Sequence, residues 1–518
     1  MNLQFLHERR WWLVFLGVGL ILNGLAVLNS DIGLDVHVRL NVANDESTSG
    51  ADYPWGPTRW VEGDVQTPVS SGEYDGYIGP WYTSQFAVGL TSFIGIVVLS
   101  LLAGYVPSWR RDGYNGTFNP MWSGLVAWSP CLMFATGRGY DEAILAIILG
   151  LSTSWLWFVD GTKIRQLRFG ILMMATSVMC VLGWKGFGPV TSLLAWLLVL
   201  GCGMLWLMMD EYVSRSSESP ATQQPWLMSF AFFMSTLVGI SIVGGLGYGG
   251  TFSIIQGNLM TFLLSLAFAF LDGIVLFLLV GFCLWPFFSS KSAFWNVRGR
   301  VVTMVAVFCS VIAAGIVAYI GALWTLESNL WDISLFQCIL ILGNNGRYAT
   351  ILVLPVLMLI HLCQHIGKEP LRPEQTFRDL PAKPLFVTML LLLPLVMFTG
   401  FHGQQLWQED AGNALAGVTS EGNSSFLLIA DSTLAMHSLY VLKTEADLSG
   451  ELNISGYWRT PSDALSFLNT TSVDAVILAP GVVFEMTDGL WESHEAQASP
   501  FTLSSWGSSD GWVLYLPS

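Results

Sequence analysis

The chain has 518 residues, of which 53% are hydrophobic and only 11% are charged, and its mean hydropathy is +0.55. This composition excludes an ordinary water-soluble globular protein and indicates that a lipid bilayer is the main solvent. The net charge of -15 argues against a nucleic-acid partner.

About eleven apolar runs of roughly 17 to 25 residues recur along the chain, each long enough to cross a ~30 Å hydrocarbon core. They cover 11–29, 84–105, 118–136, 142–159, 167–183, 187–208, 226–245, 258–286, 301–324, 347–365 and 384–402. The first run follows His7-Glu-Arg-Arg10 and has no small-residue cleavage site behind it, so we expect a retained anchor with a cytoplasmic amino terminus. Most of the 22 Lys and Arg residues then fall in the loops that this count places inside.

The segments outside these runs complete the predicted architecture. The longest external loop, 30–83, is rich in acidic and aromatic residues, as is typical of a segment at the outer membrane interface. After the last run the period changes: 425–430, 474–479 and 512–516 read as strands and 461–469 as a helix. We therefore predict a mainly α-helical transmembrane bundle over 1–403 and a small external α/β domain over 404–518, in a multi-pass plasma-membrane protein.

Cysteine usage argues against a disulfide framework or a cysteine-built metal site. All seven cysteines lie in or beside apolar runs, and the predicted external domain has none. Three Asn-x-Ser/Thr motifs, at Asn423, Asn453 and Asn469, fall in that domain and are compatible with its external side.

A group of charged residues lies where the chain emerges from the first span. Asp31 and Asp35 share a face if the segment is helical, whereas Asp35, His37 and Arg39 share one if it is extended. A carboxylate there could act as a general base on a hydroxyl, and the neighbouring cations would suit a phosphate. Ordinary interfacial charges and helix-capping aspartates are the competing interpretation of each residue taken alone.

Further cations accompany carboxylates at the same predicted depth. Arg138, Asp141 and Glu142 lie at the next external turn, and Arg347 lies at the external start of the tenth run. Guanidinium groups grip phosphate oxygens well, and lipid phosphates lie at this level of the membrane. The competing interpretation of Arg347 is a cap on the Asn344-Asn345 turn.

Two other patterns favour structural interpretations. Asp272 lies inside a long apolar run, where an ionisable group is a functional hypothesis by default, but no intramembrane cation stands out as its partner. His361 and His365 have the i, i+4 spacing of metal ligands, yet no third ligand is near in the sequence, which favours a polar helix end.

These residues resemble the polyprenyl-phosphate-sugar-dependent glycosyltransferases of the GT-C superfamily, in particular the protein O-mannosyltransferase and aminoarabinose-transferase branch. Gly33-Leu34-Asp35-Val36-His37 is similar to the acidic motif of the first external loop in that family, and Gly346-Arg347-Tyr348 followed by Leu354-Pro355 is similar to a late Arg-Tyr…Pro element. Asp35 is followed by Val36 where many members have Glu. The base therefore stays open between Asp35 and Asp31, with Asp141 or Glu142 as a possible second acid.

The resemblance implies transfer of a sugar from a polyprenyl phosphate of the dolichyl type to an acceptor hydroxyl on a protein, lipid or glycan, with inversion. Asp35 or Asp31 would be catalytic, and the substrate-binding residues would be His37, Arg39, Arg138, Asp141, Glu142, Arg347 and Tyr348. Asp31 and Asp35 lack the tight Asp-x-Asp spacing of the metal-dependent oligosaccharyltransferase branch, so neither a metal nor another cofactor is predicted. The alternatives are a secondary transporter and a polysaccharide polymerase or ligase.

Overall fold

The computed structural model describes most of residues 3–29, 85–366 and 407–518. Residues 30–84 and 367–406 lie outside this description, as do shorter stretches, the longest of which are 289–296 and 496–510. Within the described residues the protein is mainly helical, with six helices long and apolar enough to cross a membrane and a small sheet near the carboxyl terminus. The predicted run 384–402 and the predicted domain boundary at 403–404 fall outside the described residues and stay predictions.

The described helices up to residue 366 lie largely in the predicted apolar runs, except for Leu335–Leu342, which lies between two of them. The α-helices up to residue 366 are Leu3–Asn29, Gln85–Tyr105, Pro120–Ala127, Pro130–Gly137, Glu142–Trp155, Ile164–Trp184, Pro189–Val213, Pro225–Gly245, Ile255–Ala269, Arg300–Leu330, Leu335–Leu342 and Val353–Ile366. Short 3₁₀ helices cover Ala221–Gln223 and Gly250–Ile254, and a longer one covers Gly343–Leu352. A two-stranded ribbon pairs β1, Trp109–Arg110, with β2, Gly113–Tyr114.

Three predicted spans differ from the structure. The run 118–136 is two eight-residue helices rather than one, because Pro130 has no N–H for the carbonyl four residues earlier and its ring clashes there. The run 142–159 contains a helix of only 14 residues, Glu142–Trp155, among the described residues. The run 347–365 begins as the 3₁₀ helix Gly343–Leu352 and becomes α-helical at Val353.

Two helices form the centre of the membrane unit. In their most apolar 18-residue windows, Arg300–Asn329 is 78% buried and Asn345–Cys363 is 89% buried, whereas Pro225–Gly245 is only 22% buried. The helix Glu142–Trp155 packs closely beside the central helix Val353–Ile366, since a Cβ on Gly150 would lie within 2.7 Å of Leu354 Cβ. This close approach places the start of the helix Glu142–Trp155 next to the 3₁₀ helix Gly343–Leu352.

The span Gly250–Val280 is irregular. Its helix has non-helical backbone angles at Gln256, Gly257 and Asn258, and Gly257 has a φ of 96°. From Phe270 to Val280 the helix is a π-helix of 11 residues. Long π-helices are rare, and the shorter π-bulges often lie at functional positions, so this segment is a candidate for a functional role.

An ion pair with a buried carboxylate connects three parts of the membrane unit. Asp210, which is fully buried, accepts a 2.7 Å hydrogen bond from Arg300 Nε and a 2.8 Å bond from Thr222 Oγ1. The Ser214 hydroxyl adds a weaker bond at 3.3 Å. The carboxylate thus has hydrogen-bond donors from several elements, as a buried charge requires.

The carboxyl-terminal residues belong to the second of two compact units, which also includes Glu327–Ile341, and they contain a five-stranded sheet. Their helices are Trp407–Val418 and Pro461–Leu468, and their strands are β3 (Ser424–Ile429), β4 (Ile454–Arg459), β5 (Ala475–Leu478), β6 (Trp491–Glu495) and β7 (Val513–Pro517). The strand order is β4-β3-β5-β7-β6, with β3, β4 and β5 parallel and β7 antiparallel to β5 and β6. The three predicted strands and the predicted helix are confirmed within one or two residues.

Both faces of this sheet are buried. On β3, Phe426 and Leu428 pack with Trp407 on one face, and the intervening Leu427 and Ile429 pack on the other. Parallel strands buried on both faces read as continuous apolar runs, which is why the sequence of β3 and β5 identified them. The helix Trp407–Val418 and strands β4 and β6 were not predicted, since they lie in more polar sequence.

Candidate functional site: a buried arginine cluster

A buried ion pair joins two of the predicted site residues. Arg347 Nε donates a 3.0 Å hydrogen bond to Glu142 Oε1, and the two side chains are 4% and 0% exposed. Glu142 lies in the first turn of its helix, where the helix dipole favours a negative charge. Arg347 lies on the 3₁₀ helix Gly343–Leu352. The structure therefore brings together residues that are 205 positions apart in the sequence.

Aromatic rings surround the Arg347 guanidinium. Its Cζ lies 4.3 Å from the centre of the Tyr140 ring and 4.9 Å from that of Tyr348. Tyr348 in turn packs edge-on against Tyr319, at 5.9 Å between ring centres. Cation–π contacts of this kind strengthen when water is excluded, so the guanidinium is held in a defined orientation.

Arg138 continues the same cluster. It forms the C-cap of the helix Pro130–Gly137 and is only 3% exposed, with its Cζ 4.0 Å above the Phe134 ring. Phe134 lies 6.3 Å from Tyr140, whose ring contacts Arg347. The two predicted arginines are thus connected through two neighbouring rings. We call Arg138, Tyr140, Glu142, Arg347 and Tyr348 the arginine cluster.

Asp141 borders this cluster and is itself hydrogen-bonded. Its Oδ2 accepts a 2.8 Å bond from the indole nitrogen of Trp184, and the residue is 7% exposed. Next to it, the Tyr140 carbonyl accepts a 2.9 Å bond from the Ser92 hydroxyl. Trp184 and Ser92, neither of which the sequence singled out, anchor the turn that carries Asp141 and Glu142.

Asp272 lies against the segment that carries Arg347, a contact that the sequence interpretation did not predict. It lies well inside the span Gly250–Val280 rather than at its end, and its carboxylate abuts the backbone of Gly346, the residue before Arg347. The signal was present in the apolar run around Ala269-Phe-Leu-Asp-Gly273, but nothing in the sequence showed that Gly346 would lie against it.

Four of the predicted site residues stay predictions. Asp31, Asp35, His37 and Arg39 lie outside the described residues, so the proposed base has no structural position. His361 is buried and packs edge-on against Trp122, at 6.3 Å between ring centres. Among the residues that the structure describes, no group of three His, Cys, Asp or Glu side chains could hold a metal ion.

The arginine cluster can supply fixed positive charge in a setting of low dielectric. Two guanidinium groups, one carboxylate and two tyrosine rings lie close together, and the arginines are almost fully buried. Such groups interact with an anion more strongly than they would in water. A cavity elsewhere in the membrane unit, lined by Ile171, Gly203, Trp206 and Phe308 among others, is apolar and contains none of these residues.

Comparison with known proteins leaves this geometry and the sequence motifs as the basis for assigning a function. No protein-family model, curated protein or solved structure matches the chain.

Proposed function

We propose that the protein is a membrane glycosyltransferase that moves a sugar from a polyprenyl phosphate to an acceptor hydroxyl at the outer face of the membrane. The observation that carries this proposal is the Arg347 guanidinium, buried among apolar helices and held by Glu142 and by the rings of Tyr140 and Tyr348. An oriented guanidinium can bind phosphate oxygens, and a charged group among apolar helices is rare unless it serves a function, so both points support a site for a lipid-linked phosphate.

In the proposed reaction the phosphate of the donor lies against Arg347 and Arg138. Asp35, or alternatively Asp31, takes the proton from the acceptor hydroxyl, and the oxygen attacks the anomeric carbon from the side opposite the phosphate. The bond to the phosphate oxygen breaks with its electron pair, so the configuration inverts and the lipid phosphate gains negative charge. Arginines oriented in advance stabilise this charge more in the transition state than in the ground state.

The test is transfer of labelled sugar from polyprenyl-phosphate donors by the purified full-length protein. We expect Arg347→Gln and Asp35→Asn each to lower turnover by at least ~100-fold, the scale of a lost oxyanion donor or general base. Arg168→Gln is the matched control, because Arg168 is 58% exposed and pairs weakly with Glu211. Unchanged turnover in Arg347→Gln would remove the basis of the proposal.

A secondary transporter is the second candidate, and the span Gly250–Val280 favours it. That span contains non-helical backbone at Gln256–Asn258 and an intramembrane carboxylate at Asp272, both of which are typical of transporter substrate or ion sites. Proteoliposomes distinguish the two candidates. Accumulation of a solute driven by a proton or sodium gradient, without sugar transfer from any donor, would favour transport.

A further inference from the structure

Asp272 lies within a membrane-length helix, where an ionised carboxylate is energetically unfavourable. It lies in the π-helical segment Phe270–Val280 within a membrane-length helix, and its Oδ2 is buried without a hydrogen bond of normal geometry. A lone carboxylate at such a depth costs several kcal/mol, and such residues are rare unless they serve a function. The part of the chain that the structure describes offers no Lys or Arg ion pair to Asp272.

The contact that Asp272 makes is with the backbone of the segment that carries Arg347. A Cβ on Gly346 would lie 2.5 Å from Asp272 Oδ2 and 2.5 Å from Phe277 Cδ2, both closer than real Cβ atoms approach. On the same face, a Cβ on Gly273 would lie 3.9 Å from the Gly346 carbonyl oxygen. Side chains of the π-helix therefore contact the backbone of the 3₁₀ helix Gly343–Leu352, and a larger residue at position 346 would force Asp272 or Phe277 to move.

This contact limits where Arg347 can lie. Asp272 and Phe277 close one side of Gly346, while Glu142 and Tyr140 hold the guanidinium of the next residue. If the side chain at position 272 changes shape, Gly346 gains or loses room and the Arg347 backbone shifts with it. A displacement of about 1 Å at a group that orients a substrate can cost on the order of 100-fold in rate.

We propose that Asp272 is a positioning residue for Arg347: through its contact with Gly346 it holds the guanidinium in the place where the lipid phosphate of the donor binds. This inference rests on the proposed function, because the lipid phosphate is the ligand. Asp272 acts through the contact of its carboxylate with Gly346 and does not touch the reacting atoms. On this proposal, the positioning of Arg347 explains both the unfavourable carboxylate in the span and the glycine at position 346.

The experiment measures binding of sugar-free polyprenyl phosphate and turnover of the sugar-loaded donor by the full-length protein in detergent. Asp272→Asn keeps the size and one acceptor oxygen, and we expect both quantities to stay within about 3-fold of the wild type. Asp272→Leu replaces the carboxylate at this contact with an apolar group, and Gly346→Ala crowds the contact. We expect each of them to weaken binding of the lipid phosphate by about 10-fold or more. Gly239→Ala, at a helical glycine with open space around it, is the matched control.

A double-variant comparison makes the test specific to positioning. If Asp272 acts through Arg347, Asp272→Leu combined with Arg347→Gln binds no more weakly than Arg347→Gln alone, because coupled residues are not additive. Fully additive losses would overturn the inference, as would an Asp272→Asn loss as large as that of Asp272→Leu, which would indicate a role for the charge itself. Asp272→Ala provides the same comparison if the leucine variant does not fold, as judged by size-exclusion chromatography.

The outcomes also separate this inference from the proposed function. Wild-type binding of polyprenyl phosphate by Arg347→Gln would refute the proposed function, and the inference with it. Weakened binding by Arg347→Gln together with unchanged binding by Asp272→Leu and Gly346→Ala would refute the inference alone.

Discussion

Separating the Glu142–Arg347 pair should cost far more stability than separating an exposed pair in the same protein. At 3.0 Å and an effective dielectric constant near 20, the attraction between the two charges is about 5 kcal/mol before desolvation. Removing one partner of a buried ion pair usually costs about 3–5 kcal/mol. We expect Glu142→Gln to fall in that range.

The Arg168–Glu211 pair provides the control. Its atoms are 3.4 Å apart, but the side chains are 58% and 23% exposed, so water screens the interaction. Exposed pairs contribute about 0.2–1 kcal/mol, and Glu211→Gln should cost no more than this.

The assay is reversible unfolding of the purified protein in mixed micelles, with a double-mutant cycle over Glu142→Gln and Arg347→Gln. We expect a coupling energy of at least ~1.5 kcal/mol, as found for close buried charges. If the buried and exposed pairs lose the same stability, or the coupling is below about 0.5 kcal/mol, then the reasoning from burial is wrong.

Three further predictions use the same unfolding assay. Asp210→Asn should cost about 1.5–3 kcal/mol because the partly exposed guanidinium of Arg300 loses its charged partner, and a loss below about 0.5 kcal/mol would contradict the ion pair. Gly150→Ala should cost about 1–3 kcal/mol by overpacking, since its Cβ would collide with Leu354, whereas Gly239→Ala has open space and should lose little. Phe426→Ala should cost about 3–5 kcal/mol in the carboxyl-terminal unit, measured as its own transition, because that ring is fully buried in the sheet core.

Local sequence was sufficient wherever a segment is stabilised by its own pattern. Apolar runs predicted the membrane helices because a bilayer requires every backbone group to be satisfied within the segment, and a helix does this by itself. Strand β3 and strand β5 were predicted for a related reason, since continuous apolar runs bounded by polar residues indicate strands buried on both faces. Pro130, within the run 118–136, is also a local signal for the break between the two short helices.

Segments whose conformation depends on neighbours could not be predicted in this way. Nothing in the local pattern of 270–280 distinguishes a π-helix from an α-helix, and the polar strands β4 and β6 form because they pair with the strands beside them. The same holds for the helix Trp407–Val418, whose buried face packs on the sheet.

The sequence by itself determined that the chain is a mainly helical membrane protein with a carboxyl-terminal α/β layer, and it singled out Arg138, Glu142 and Arg347 by their charge at the ends of apolar runs. Only the tertiary structure decided that Arg347 bonds to Glu142, that Tyr140 lies beneath its guanidinium, and that Asp272 abuts Gly346. The physical reason is the separation along the chain of the residues that interact. Hydropathy acts within a segment, whereas an ion pair across 205 residues and a glycine-sized contact depend on how separate helices pack.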